Sequence, residues 1–460
     1  MKKTVVSLAL AASLSLGVVG SPATAVHVPE VHFNQGHFDQ KVVNKIDADK
    51  IYNNIELLAK QPRVAGTEAE KLASQFIKKQ FESYGYDVDI QPFTFYGYTP
   101  PTSIELNVDG YTDELAPTSF TYSVNGNVTG ELADAGLSTK VQLEDVDLTG
   151  KIALIQRGEI SFGEKVLNAA EKGAEGVIIY NNAAGALNGT LGEHNDDYVP
   201  AVALTKAEGE ALKASAGNSA TLNVEGAEAG DRTSQNVIAT KKPTNKKKDT
   251  GDIIVIGSHY DSVAGAPGAN DDASGTAMTL ELARVLKNVP TDTEIRFATF
   301  GAEEVGLIGS YHYVSTLSDD EISSTIANFN LDMVGSKDAG DLIMRTVNGQ
   351  PNLVTELAQN SSKKLNGTAT PYGQGGSSDH VPFAAVGIPA ALFIHSPSEP
   401  WYHTPEDTID KISKEKLQDV GEIVGAAVYD RARFDNKGPK PKKGPKVKAT
   451  HEMIFNEAIK

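Results

Sequence analysis

Cysteine is missing from all 460 residues. Its absence removes disulfide staples, thiol nucleophiles and thiolate metal ligands at once, so any metal must sit on His, Asp and Glu. The His-Glu-x-x-His helix of zincin peptidases is absent too, and no Gly-x-Ser-x-Gly elbow follows a strand. Positive charge is scarce: 42 Lys and Arg face 60 Asp and Glu, a net of −18. Phosphate binding needs a basic footprint, so a nucleic-acid partner is excluded. Nor does the chain carry an apolar run that would span a bilayer comfortably. The run Val5 to Val19 is short, follows Met1-Lys2-Lys3 and precedes Ser21-Pro22-Ala23-Thr24-Ala25, which offers an Ala-x-Ala cleavage site. It reads as a secretory signal cut after Ala25, placing the protein outside the cell without stable membrane insertion. Loss of Lys2 and Lys3 with it takes the net charge to −20.

The length, with 40 % hydrophobic residues, predicts two folded domains. Apolar residues at helical spacing predict a helix over Ala48 to Lys60, and Gly66-Thr67-Glu68 opens a second that runs to Tyr84 and stops at Gly85. Short alternating segments from Tyr86 to about Val128 predict strands, the clearest at 88–95. A middle block has strands at 151–155 and 176–180 flanking a helix through Phe162 to Lys172. From residue 236 strand and helix alternate: strands at 236–239, 253–256, 295–300, 326–331 and 390–394, helices at 275–287, 352–365 and 414–433. That order predicts an α/β fold with a mixed, mostly parallel sheet between helices. The lysine-rich stretch between Lys241 and Lys248 reads as a solvated hairpin. Lys437 to Lys448 carries six lysines among Pro and Gly and reads as a flexible tail, which its charge would draw only weakly to an anionic cell envelope.

In an open parallel sheet, functional groups gather beyond the carboxyl ends of the strands. His259-Tyr260-Asp261 follows the strand at 253–256, and Asn270-Asp271-Asp272 precedes a helix. Glu303-Glu304 follows Phe300, Asp332 follows Leu331, and Trp401-Tyr402-His403-Thr404-Pro405 lies beyond Ile394. A single His or Asp in such a place is ordinary loop chemistry; five in order at the same edge predict one site. His312, His395, His194 and the N-terminal histidines fit no ligand slot and read as surface or packed residues. Ser274 and Ser310 are explained by helix starts.

Two resemblances attach to these motifs. Gly150-Lys151, Arg157-Gly158, Phe162, Lys165, Asn168-Ala169, Gly173-Ala174 and Gly176-Val177-Ile178 resemble a protease-associated (PA) domain, a module thought to cover the active site or help select substrates. The motifs His259-x-Asp261, Gly268-Ala-Asn-Asp271-Asp272-Ala-Ser-Gly275, Glu303-Glu304-x-Gly306-Leu-x-Gly309-Ser310, Asn330-Leu-Asp332-Met and Tyr402-His403-Thr404 resemble the secreted zinc aminopeptidases with co-catalytic metals. These are the clan MH peptidases that include aminopeptidase Y and the catalytically dead transferrin-receptor ectodomain. This likeness spans roughly Pro62 to Arg433.

The second resemblance implies a zinc-exopeptidase fold over residues 26–111 and 233–435, with the PA domain inserted at 112–232 and a tail from 436 to 460. It implies one Zn²⁺ on His259 and Asp332, a second on Glu304 and His403, and Asp271 bridging them. Co²⁺ or Mn²⁺ would suit the same donors; nothing indicates a structural calcium. Glu303 is then the general base, Asp261 orients His259, and Tyr402 donates to the oxyanion, with packing against Trp401 as its plainer alternative. The Asp271–Asp272 peptide is cis in relatives. Gly375-Gly-Ser-Ser-Asp379-His380-x-Pro-Phe383 also matches, but Ser377 stands where some relatives carry an arginine. Peptides with a free amino terminus are the implied substrates. The competing readings are a carboxypeptidase or dipeptidase of the same fold, a one-zinc glutaminyl cyclase, and a non-catalytic binding ectodomain.

Overall fold

The structure, a computed structural model, describes residues 40–434; the expected signal and most of the expected tail lie outside the described residues. Eight strands form the larger sheet in the order Val88–Thr99, Glu228–Lys241, Glu294–Phe300, Ile253–His259, Thr325–Leu331, Ala390–Ser396, Asp341–Thr346 and Tyr372–Gln374. The middle four, from Glu294–Phe300 to Ala390–Ser396, are parallel. Antiparallel pairing appears towards both sides, at Val88–Thr99 with Glu228–Lys241 and at Asp341–Thr346 with Ala390–Ser396.

Strand alternation splits the core into two layers. Ile254, Ile256, Ile295 and Phe297 face one way, onto the helices Ala48–Leu58, Glu68–Ser83, Ala273–Leu286, Leu353–Asn366 and Lys414–Ala432. Ile253, Val255, Ala298 and Phe300 face the other, onto the helices Ile308–Thr316 and His380–Ala385. Parallel strands buried on both faces favour a continuous apolar sequence, as in the run from Ile253 to Ile256 and that from Ala390 to Ile394, although Thr325–Leu331 also buries Asn328 and Asn330. Removing one fully buried ring, such as Phe297, would cost about 3–5 kcal/mol.

The helices begin where a side chain can take up the free N–H groups. Asp47 caps Ala48–Leu58 and Thr67 caps Glu68–Ser83, whose Ala73, Ile77 and Phe81 form a buried stripe. Gly85, at φ 84°, lets the chain leave. The helix Ala273–Leu286 is buried on nearly every side because helices cover it as well as the sheet.

The second sheet has seven strands, in the order Ser103–Val108, Ser219–Glu225, Gly126–Asp134, Ile152–Gln156, Gly176–Tyr180, Ala201–Leu204 and Thr118–Ser119. It also has a parallel centre. Its strands begin at Ser103 and end at Glu225, a span set earlier than the expected 112–232. The long ribbon of Val88–Thr99 paired with Glu228–Lys241 carries the chain out of the larger sheet and back, with Thr99 opposite Glu228.

The hairpin expected between Lys241 and Lys248 is not formed. Strand Glu228–Lys241 and strand Ile253–His259 are separated by Glu294–Phe300, so the segment is a crossover containing a short 3-10 turn at Lys246–Lys248. Composition identifies a turn correctly, but not what it joins. Among the described residues, no helix is long and apolar enough to cross a membrane.

Candidate metal centre

The five strand-end motifs converge. His259 is the last residue of its strand, and its Nε2 lies 3.2 Å from Asp271 Oδ1 and 3.6 Å from Asp332 Oδ1. His403 Nε2 lies 3.0 Å from Asp271 Oδ2 and 3.2 Å from Glu304 Oε2. Asp271 therefore turns one carboxylate oxygen to each imidazole, and each imidazole has a second carboxylate of its own.

Each ligand loop is held by backbone contacts. Asp261 accepts the N–H of Glu303 (3.1 Å) on one oxygen and that of Glu304 (3.2 Å) on the other, which sets the turn that presents both glutamates. Its Oδ1 is also 3.5 Å from His259 Nδ1, so one buried carboxylate faces the imidazole and pins the neighbouring loop. Asp407 accepts the N–H groups of Asn270 (2.8 Å) and Asp271 (3.0 Å). Ser378 donates to Asp332 Oδ2 (2.7 Å) and accepts from Asn330 Nδ2 (2.8 Å). Ala302, Met333 and His403 all adopt positive φ, at 55°, 57° and 59°. Non-glycine residues persist there only where the surroundings hold them, and such positions cluster at functional sites. The Asp271–Asp272 peptide is cis.

Asp272 lies within reach of His259 and Asp332, yet its oxygens are committed elsewhere. Oδ1 accepts from Gly275 N (2.7 Å) and Met333 N (3.3 Å), and Oδ2 accepts from His259 N (3.2 Å). It caps the helix Ala273–Leu286. Gly275 behind it has no room for a side chain, since a Cβ would stand 2.0 Å from the carbonyl oxygen of Leu331.

Electrostatics show what the cluster lacks. Burial, followed by Asp271, pushes Glu304 up to about 7 against the pull of His403. Burial lifts Glu303 far above the usual carboxylate range, opposed by His259 and reinforced by Glu304, Asp379 and Asp332. On His403 burial opposes the charge, but Asp271 and Glu304 outweigh it and raise the imidazole to about 10. Asp332 Oδ1 and Glu304 Oε1 are buried without a hydrogen-bond partner among the described residues. Mutually repelling carboxylates, unsatisfied oxygens and two imidazoles are a donor set made for hard or borderline dications, and the residues fit a pair of them.

Tyr402 sits beside the cluster, 44 % exposed, its ring stacked on His403 with centroids 3.8 Å apart. Desolvation and the carboxylates Asp271 and Glu304 raise its pKa. Of the histidines set aside from the sequence, His194 stacks on Tyr96 and pairs with Asp196, His312 packs on Phe93 and His395 is buried, while the N-terminal histidines lie outside the described residues. Sequence reasoning does not single out Asp407, and reaches Ser378 only inside a matching segment. Both are ordinary polar residues whose importance comes from the groups that the fold sets opposite them.

The model of peptidase family M28 matches residues 236–428, and that of the PA domain residues 128–212. The chain is 40 % identical to Aminopeptidase YwaD of Bacillus subtilis (strain 168), over 98 % of each chain. Among solved structures, the aminopeptidase from Aneurinibacillus sp. strain AM-1 is 56 % identical with a TM-score of 0.79, covering 88 % of this chain and 98 % of that one. BSAP, a zinc aminopeptidase from Bacillus subtilis, is 40 % identical with a TM-score of 0.71, covering 87 % and 98 %.

Proposed function

Because this chain belongs to peptidase family M28, we propose that it is an exported zinc aminopeptidase that hydrolyses the first peptide bond of peptides with a free amino terminus. The observation that carries the reading is Asp271, whose two oxygens face two different histidines, each with its own carboxylate, Asp332 or Glu304. Two Zn²⁺ held by His259 with Asp332 and by His403 with Glu304, bridged by Asp271, would supply a water of lowered pKa and polarise the scissile carbonyl.

The protein's own groups do the rest. Glu303 takes the proton of the attacking water and passes it to the leaving amine. Its place beside Glu304 in the turn set by Asp261 supports that role. Asp261 keeps the His259 ring oriented, and the Tyr402 hydroxyl donates to the developing oxyanion. The excess of carboxylates attracts the substrate's α-ammonium, which favours an aminopeptidase over a carboxypeptidase. The names of the relatives point the same way.

We assign the seven-stranded unit from Ser103 to Glu225 as the substrate-selecting or covering module. Export rests on the expected signal, cut after Ala25. The lysine-rich tail adds at most weak attraction to a cell envelope.

The test is a panel of amino-acid p-nitroanilides and their N-blocked counterparts, assayed before and after prolonged dialysis against chelator. Free-amino substrates should be cleaved, chelation should abolish the cleavage and zinc restore it. Efficient cleavage of blocked substrates would overturn the aminopeptidase assignment.

A further inference from the structure

Arg63 is one of the largest fully buried side chains in the protein, 1 % exposed, and among the described residues its nitrogens bond to no carboxylate. Its guanidinium is spent on carbonyl oxygens instead: Nε on Tyr260 (2.6 Å), Nη1 on Leu58 (3.1 Å) and Pro267 (2.6 Å), Nη2 on Gly268 (2.9 Å). Tyr260 sits between His259 and Asp261, and Pro267-Gly268 leads into Asn270-Asp271. The fork therefore spans two separate loops, one carrying a histidine of the site and the other its shared aspartate.

Ser262 seats this arginine. Its Oγ accepts the Arg63 N–H (2.9 Å) and donates to Ala266 O (3.1 Å), while Ser262 N donates to Arg63 O (3.2 Å). Gly268 is held so closely that a Cβ there would stand 2.2 Å from Asp271 O and 3.0 Å from Arg63 Nη2, at φ +63°. Burying a charge is costly, and here Asp261, Asp272, Asp407 and Asp271 supply the compensating field.

We propose that Arg63, seated by Ser262, is a positioning residue of the metal centre: it clamps the His259–Asp261 loop to the loop of Asp271 and so sets the spacing between the histidine and the bridging carboxylate. The proposal rests on the metallopeptidase reading of the site. A guanidinium suits the task because its donors lie in a rigid planar fork, whereas an ammonium is a single point and cannot reach four separated carbonyls.

Four proteins test it: wild type, Arg63→Lys, Arg63→Ala and Ser262→Ala. Folding is followed by circular dichroism, zinc affinity by chelator competition, and kcat and KM with a free-amino p-nitroanilide. Arg63→Lys keeps the charge and loses the fork; its zinc affinity and kcat should each fall about 10- to 100-fold, with KM little changed. Ser262→Ala should shift both in the same direction by a smaller factor. Millimolar guanidinium, but not equal sodium chloride, should restore part of both in Arg63→Ala.

Folded Arg63→Lys or Ser262→Ala with wild-type zinc affinity and kcat would overturn the clamp, leaving Arg63 a fold staple. So would a folded Arg63→Ala that guanidinium leaves unrelieved; if that variant does not fold, Ser262→Ala decides. Wild type without aminopeptidase activity would overturn the functional reading instead, and the zinc affinities would still judge the clamp.

Discussion

The two sheets share a plan and differ at the ends of their strands. Both have a parallel centre buried on each face by alternating apolar residues, Ile254 and Ile256 against Ile253 and Val255 in the larger, Ile155 and Val177 against Leu154 and Ile178 in the smaller. At two strand ends of the smaller sheet, the polar side chains that follow the strand are satisfied locally. Asn181 donates to Ala186 O (3.1 Å) and accepts from Arg157 (3.2 Å), and Thr205 forms a capping box with Glu208. At the corresponding ends of the larger sheet, Asp332 Oδ1 and Glu304 Oε1 are buried without a hydrogen-bond partner among the described residues. Architecture therefore does not mark the site. Convergence does: in the larger sheet these oxygens without hydrogen-bond partners belong to carboxylates that face the two histidines sharing Asp271.

Substitutions can break that contrast, beginning with the largest effect. Asp271→Ala removes the one group shared by both histidines, so bound zinc and aminopeptidase activity should fall together to background, as read by metal analysis and turnover. Glu303→Gln should separate the two. Zinc content should stay at the wild-type level while kcat drops about 10²- to 10⁴-fold; a variant that loses its metal would make Glu303 a ligand and not the base. Tyr402→Phe should lower kcat about 10²-fold with KM nearly constant. Unchanged kcat would leave the tyrosine as a packing partner of His403.

Beneath the site, Glu70 accepts from Ser234 (2.5 Å) and Gly66 N (2.7 Å). Burial first and Asp261 second raise its pKa from 4.5 to about 8. An acid whose pKa is raised by folding contributes fully below its unfolded value, and its contribution is lost as pH climbs through the folded value. Glu70→Gln cannot ionise, so its stability relative to wild type should grow between pH 4.5 and pH 8, by about 1–3 kcal/mol. Denaturant titrations showing a pH-independent difference would exclude a buried proton on Glu70. The smallest effect is expected in the other sheet. Thr205→Ala should cost about 1 kcal/mol of stability through the lost helix cap and leave kcat/KM unchanged, whereas an activity loss would mean that the two units are coupled.

Much of this is legible in the chain because local physics decides it. A capping Thr67 and a stripe at Ala73, Ile77 and Phe81 define a helix wherever they occur, and doubly buried strands announce themselves by unbroken apolar runs. The motifs that carry candidate ligands are legible as well, at or beyond strand ends, whereas their grouping into a metal site is what the family resemblance implies. The stretch 241–248 misleads because composition marks a turn but says nothing of which strand will lie between the two it joins. Sequence spacing makes Asp261 a partner for His259, yet its shorter contacts are to the backbone of Glu303 and Glu304. Arg63 and Asp407 give no sign, because their partners are main-chain atoms, much the same at every position.

Sequence alone determined the α/β class, the lack of thiol chemistry and the His, Asp and Glu motifs at strand ends and in loops, because these depend on residue type and short-range periodicity. Only the tertiary structure decided that Asp271 faces both histidines, that Asp272 caps a helix and leaves the cluster, and that Arg63 spans two loops. Those assignments depend on distances between segments up to hundreds of residues apart, and hydrogen-bond geometry settles them once packing has brought the segments together.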